Sequence, residues 1–195
     1  SALVRPGGEI GLARNCHKAS YHACYLGDLV IHSLYPQWEP VFGINGGILP
    51  EDVEKLLKEY PKTQAVLITS PTYDGAVSDV KRIAEICHAH GIPLIVDEAH
   101  GAHLGFCPYF PESALNLGAD VVIQSFHKTL PSFTQTAVRH VSKSARVNED
   151  RIRRFLGIYQ SSSPSYIFMA AMDRCVEFLR NEGKERFEAF TARLE

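Results

Sequence analysis

Lys128 and Asp97 are the two residues of this sequence with the greatest chemical reach. Lys128 stands in Ser125-Phe-His-Lys128-Thr, directly after the apolar run Ala119-Asp-Val-Val-Ile-Gln. That position puts its amine at the end of a strand. A lysine amine in a crevice attacks carbonyl carbons and forms a Schiff base, whereas in a solvated turn it is only a surface charge. Ser125, His127 and Thr129 bring hydroxyl and imidazole groups that suit an anionic phosphate. Asp97 closes Ile92-Pro-Leu-Ile-Val. A carboxylate there is partly desolvated and needs a cation or hydrogen-bond donors. It either caps the turn that follows or pairs with a bound cation, and a pyridinium N–H is one such cation. Pyridoxal 5'-phosphate (PLP) requires both features, a lysine for its aldehyde and an acid for its ring nitrogen. Ala99 is small enough to lie flat on one ring face, and His17 is available for the other. His100 and His103 add polar groups at the rim. Any of these histidines also has a plain reading, a structural hydrogen bond or a solvated position. The plain reading is retained for His22, His32, His88, His90 and His140.

These residues need a scaffold that gathers strand ends. Gln64–Ser70, Ile92–Asp97 and Ala119–Ser125 read as buried strands, and Glu9–Arg14 and Leu29–Tyr35 as two more. Helices are predicted over about 16–27, 50–60, 79–91 and 149–159, then over 165–181 and again from Lys184. Asp79 serves as a helix start and Gly91 as a stop. Strands without polar alternation between amphipathic helices imply an α/β fold, a mostly parallel sheet flanked by helices in three layers. Ligands of such sheets bind beyond the carboxyl ends of the strands. Arg14-Asn-Cys-His-Lys18, Asp97-Glu-Ala-His-Gly-Ala-His103 and Ser125-Phe-His-Lys128 all fall at such ends.

Composition narrows the function classes. The 195 residues carry a formal charge of -2, with 45% hydrophobic and 22% charged residues, as in an ordinary globular chain. The charge balance, without a basic stripe, disfavours nucleic-acid binding, and no apolar run approaches the ~20 residues of a membrane span. Five widely spaced cysteines without a CxxC point to reduced thiols and a cytoplasmic protein.

Five segments together resemble the ornithine/lysine/arginine decarboxylase family, fold-type I PLP enzymes. They are Arg14-Asn-Cys-His-Lys18, Thr69-Ser-Pro-Thr-Tyr-Asp-Gly75, Val96-Asp-Glu-Ala-His-Gly-Ala-His103, Ser125-Phe-His-Lys128-Thr-Leu-Pro131 and Ser161-Ser-Ser-Pro-Ser-Tyr166. The similarity runs from about Arg5 to Leu179. It implies a PLP-dependent transferase-like large domain, incomplete here, with Lys128 holding the cofactor as a Schiff base and Asp97 pairing with its ring nitrogen. It implies His17 stacked on the ring, Ala99 on the other face, Ser125 and His127 at the phosphate, and His103 near the ring hydroxyl. Ser162 would reach the phosphate of a neighbouring subunit's cofactor in a homo-oligomer, a dimer or higher. The implied reaction is α-decarboxylation of Lys, Arg or Orn to a polyamine-type amine. Family members are longer. Their phosphate-cradling loop lies before the first residue, with no equivalent among residues 1–8, and their small carboxy-terminal domain lies beyond Glu195. Residues 1–158 then correspond to the central part of the large domain and 159–195 to the helices that follow. The chain alone is expected to have little or no decarboxylase activity.

Other readings start from the same residues. Leu94-Ile-Val-Asp-Glu-Ala-His100 matches a helicase DEAH box, but that chemistry needs a G-x-x-x-x-G-K-[ST] loop, which the sequence lacks. Asp97, His100, His103 and His127 have donor atoms for a metal, although Gly101 argues for a loop rather than a chelating helix. An aminotransferase or lyase of the same fold would share Asp97 and Lys128. A remnant that keeps the fold without chemistry is the non-enzymatic alternative.

Overall fold

The computed structural model describes residues 2–194. In chain order the elements are β1 (Glu9–Ala13), α1 (Lys18–Leu26), β2 (Val30–Leu34), β3 (Trp38–Glu39), β4 (Ile44–Asn45), α2 (Pro50–Glu59) and β5 (Thr63–Thr69). They continue with α3 (Val80–Ala89), β6 (Leu94–Asp97), β7 (Val121–Ser125), α4 (Phe126–Thr129), β8 (Ala137–Val141), α5 (Glu149–Tyr159) and α6 (Tyr166–Thr191). Six strands form one sheet in the order β2-β1-β5-β6-β7-β8. All neighbouring pairs are parallel except β7–β8, which is antiparallel. The chain moves outward from β1 to β2, then returns to the other side of β1 to lay down β5, β6 and β7. The topological switch therefore falls between β1 and β5, and sheets of this kind bind their ligands beyond the carboxyl ends at such a point.

Each strand side chain chooses a face by the period-2 rule. Val66, Ile68, Leu94, Val96 and Val122 point to one face and meet Val53, Leu56 and Leu57 of α2 and Ile83, Ala84 and Cys87 of α3. Leu12, Ala65, Ile95 and Val121 point to the other, against Cys24 of α1 and Ile152 of α5. These are the three layers expected from the sequence. Ile68, Ile83, Leu94 and Val96 have no exposed surface, and full burial of each such side chain stabilises the fold by about 1.5–3 kcal/mol.

Helix starts follow sequence signals. Asp79 accepts from Arg82 N at 3.0 Å, and Asn148 from Arg151 N at 2.9 Å, satisfying first-turn amides. Pro50 opens α2, with Glu51 and Asp52 in its first turn. The sequence predicts two helices after Ser165, but α6 is continuous. Gly183 lies inside it, buried, with Leu179 Cδ2 at 3.5 Å from where a Cβ would stand. A helix-interior glycine weakens a helix by about 1 kcal/mol without breaking it when packing holds it. The sequence reading also passed over β8 and the short β3–β4 pair, whose weak alternation carries little periodic signal.

Candidate active site

The parallel strands β1, β5, β6 and β7 end on the same edge at Ala13, Thr69, Asp97 and Ser125. Asp97 pairs in register with Thr69 on one side and Ile123 on the other. Its Oδ1 accepts from Ala99 N at 3.1 Å, so it does cap the following turn, while remaining half-buried and open to a second partner. Lys128 belongs to the single turn of α4 that follows β7, and is exposed. Its Nζ lies 3.2 Å from His100 Nε2. His17 caps α1, with Nδ1 accepting from Ala19 N at 3.2 Å, and is exposed. His100 is held below the ordinary histidine range by burial first. Lys128 and His17 push the same way, and Asp97 opposes. His100 thus stands against Lys128, three residues past Asp97 on the turn that leaves β6.

The remaining expected residues divide. Ala99 is 8% exposed beside Asp97. Ser125 is buried at the start of α4, and its hydroxyl makes no capping bond. His127 Nδ1 donates to Thr136 O at 2.9 Å, which leaves Nε2 as the free nitrogen. His103 packs edge-on against Phe110, with centroids 4.7 Å apart. Burial lowers its pKa. Ser162 is in the exposed 160–165 connection between α5 and α6, where Ser161 and Ser163 bond to each other. The structure brings Lys128 and His100 together beside the turn that holds Asp97 and Ala99, sets His17 at the start of α1 beyond the end of β1, and shows no contact of Ser162 or His103 with that group.

Buried polar atoms without a partner reveal more of the site. Those among the described residues are Asn15 Oδ1, Thr69 Oγ1, His100 Nδ1, His103 Nδ1, Thr129 Oγ1 and Arg139 Nη1. All but the last lie on segments that leave the carboxyl ends of β1, β5, β6 and β7. Native interiors satisfy nearly all such atoms. A cluster of orphans along one sheet edge fits a ligand rich in polar groups, as a phosphorylated hydroxypyridine is. Asn15 and Thr69 received no role from the sequence, although both stand in segments that carry the family resemblance. Among the described residues no three His, Cys, Asp or Glu side chains gather as they would around a metal ion. The cysteines offer no ready nucleophile. All five are free and buried, and burial pushes Cys87 up to about 12.

Glu98 is the residue that sequence reasoning missed most completely. It follows Asp97 yet turns the opposite way, 1% exposed. It accepts from Ala114 N at 2.7 Å, Ser113 Oγ at 2.8 Å and Gln124 Nε2 at 2.6 Å. Gln124 Oε1 in turn accepts from His140 Nε2 at 3.0 Å. This chain ties β6, β7 and β8 together directly beneath the crevice. Gly101 closes over it. A Cβ there would stand 2.6 Å from Glu98 Cγ and 2.8 Å from Pro71 Cδ. Burial raises the Glu98 pKa above its ordinary 4.5 despite the three bonds that oppose the rise. The neutral acid is therefore favoured in the fold, and its contribution is complete below 4.5 and is lost as pH rises through the folded value. Glu98→Gln is expected to flatten stability against pH above 4.5, as read by urea unfolding at several pH values. Glu98→Ala, which strands two buried donors and the half-buried Ser113 hydroxyl, is expected to destabilise by about 3 kcal/mol.

The fold is shared with solved PLP-bound enzymes. The constitutive lysine decarboxylase of E. coli superposes with a TM-score of 0.75 at 24% identity, covering 95% of this chain and 27% of that one. Residues 1–193 match the family described as Orn/Lys/Arg decarboxylase, major domain, and the chain belongs to that family. It is 40% identical over 172 residues to the uncharacterized protein YaaO of Bacillus subtilis (strain 168), covering 88% of this chain and 36% of that one. It is 34% identical over 184 residues to an arginine decarboxylase of Halalkalibacterium halodurans, covering 94% and 37%. The chain therefore spans well under half the length of these relatives. No helix among the described residues is long and apolar enough to cross a membrane.

Proposed function

We propose that residues 1–195 form the central, cofactor-binding part of a PLP-dependent α-decarboxylase acting on a basic amino acid, arginine, lysine or ornithine. The observation that carries this reading is the gathering of Lys128, Asp97, Ala99 and the orphaned polar atoms at one sheet edge. Family membership supports the same chemistry. When bound, PLP supplies a protonated ring that draws off the electron pair left as the Cα–carboxylate bond breaks.

The chain's own residues have distinct tasks in this proposal. Lys128 would hold the cofactor through its aldehyde carbon, the position that a substrate amine would take during turnover. Asp97 holds a proton on the ring nitrogen with a charge-assisted hydrogen bond. Ala99 leaves one ring face free of side-chain bulk, and His17 supplies an aromatic plane for the other. The Ser125 hydroxyl and His127 Nε2 hold the phosphate, with Thr129 beside them. His103 is assigned to the rim near the ring hydroxyl, and Ser162 to the phosphate of a second copy in a homo-oligomer.

The test is carbon dioxide release from arginine, lysine and ornithine in turn, by the 195-residue chain and by its full reading frame, each supplied with PLP. Release from one of the three is expected with the full frame, and little with residues 1–195 alone. Attachment of PLP without release from any of them would assign the fold's other chemistry, transamination or elimination. Absence of attachment would overturn the reading.

A further inference from the structure

His100 has no task in the scheme above, yet its Nε2 lies 3.2 Å from Lys128 Nζ. Other histidines here are tied to protein groups that explain them: His88 to Asp120 at 2.8 Å, His140 to Gln124 and His127 to the Thr136 carbonyl. His100 differs. Its Nδ1 is buried without a partner among the described residues, so its polar engagement is with Lys128. The edge of Tyr73, at 5.7 Å and 90°, fixes the plane of the ring. The charged and titratable groups around it are Lys128, Asp97, His17 and Tyr73. Burial and the neighbouring lysine keep the imidazole neutral at physiological pH, and so able to take a proton.

We propose that His100 is the acid–base catalyst for making and breaking the bond between Lys128 and the cofactor's carbonyl carbon. This rests on the PLP reading. A 3.2 Å contact is within the reach required of a general base. His100 first takes a proton from the Lys128 ammonium. The freed amine attacks the aldehyde carbon, the C–N bond forms, and the carbonyl electron pair moves to oxygen. His100 returns that proton to the oxygen. It then takes a second from the now cationic nitrogen and delivers it to the departing hydroxyl. The nitrogen lone pair closes the C=N bond as water leaves. One ammonium and one aldehyde give one protonated Schiff base and one water. Two of the three ammonium protons end in the water, and nothing is oxidised or reduced. The same steps in reverse free Lys128.

The experiment mixes the protein with PLP and follows Schiff-base absorbance in a stopped-flow instrument, with borohydride trapping and peptide mapping at Lys128. His100→Ala and His100→Gln are expected to reach the same attached end state about 10²-fold more slowly, with added imidazole restoring rate to the alanine variant. The glutamine side chain can still bond to Lys128 but cannot shuttle protons. A wild-type rate in His100→Gln would therefore overturn the proposal. A readout without cofactor is the titration of the His100 ring by NMR. Its pKa is expected to rise in Lys128→Ala, where a neighbouring cation is gone, and an unchanged value would overturn the pairing. If the wild type attaches no PLP, the proposed function fails and this proposal with it. If attachment is normal and both His100 variants match its rate, only this proposal fails.

Discussion

Lys128→Ala is expected to abolish covalent capture of PLP: the protein should stay colourless, and borohydride followed by mass analysis should find no added cofactor on the 126–131 peptide. The expectation is a near-complete loss, because the alanine methyl has no nucleophile to offer and, among the described residues, no other lysine is bonded to Asp97, His100 or His17. The effect is separable from damage to the fold. Lys128 is exposed, and its hydrogen-bond partner is His100. Removing such a side chain shifts stability by no more than about 0.5 kcal/mol, so the thermal midpoint is expected to be unchanged. Retained attachment at another lysine would move the reactive amine elsewhere and remove the basis for the assigned chemistry.

Asp97→Asn has the second largest expected effect and acts differently. Asn can still accept from Ala99 N through its side-chain oxygen, so the turn after β6 survives and the protein folds. A neutral amide cannot hold the proton on the ring nitrogen. Loss of a hydrogen bond between charged groups is worth about 1.5–3 kcal/mol, so PLP affinity, read by absorbance titration, is expected to fall by roughly 10–100-fold. Carbon dioxide release by the full reading frame is expected to fall by a further factor of about 10² or more, the scale on which a preorganised electrostatic partner acts. A variant with unchanged turnover would show that the carboxylate serves only as a turn cap.

Much of this was legible in the sequence because its signals are local. Leu94 to Asp97 is a buried apolar run with a charge at its end, and that pattern alone locates both the strand and the crevice. Asp79 marks a helix start through a bond to an amide three positions away, and Pro50 through its fixed φ at the first helical position. The Glu98–Gln124–His140 chain was not legible, since its partners are 26 and 16 residues apart and meet only through strand pairing. Its carboxylate also follows Asp97 directly, and nothing in the local pattern says that one faces the crevice and the other the interior. The Lys128–His100 contact spans 28 residues and was hidden for the same reason. In α6, Gly183 interrupts the local pattern, whereas Leu179 and Phe187 on either side of it pack against Ala102 and Leu130 and the helix runs on.

The close fit at Gly101 bears on any attempt to alter substrate range by laboratory evolution. With Glu98 Cγ, Pro71 Cδ and Leu104 Cδ1 all within 3.0 Å of the point a side chain would occupy, position 101 has no room for a mutational library. Diversity introduced there would be eliminated as misfolded protein before any selection for catalysis. Asp74, exposed between Tyr73 and Gly75, is where randomised codons can be absorbed, whereas Gly75 at φ 91° admits no other residue without strain.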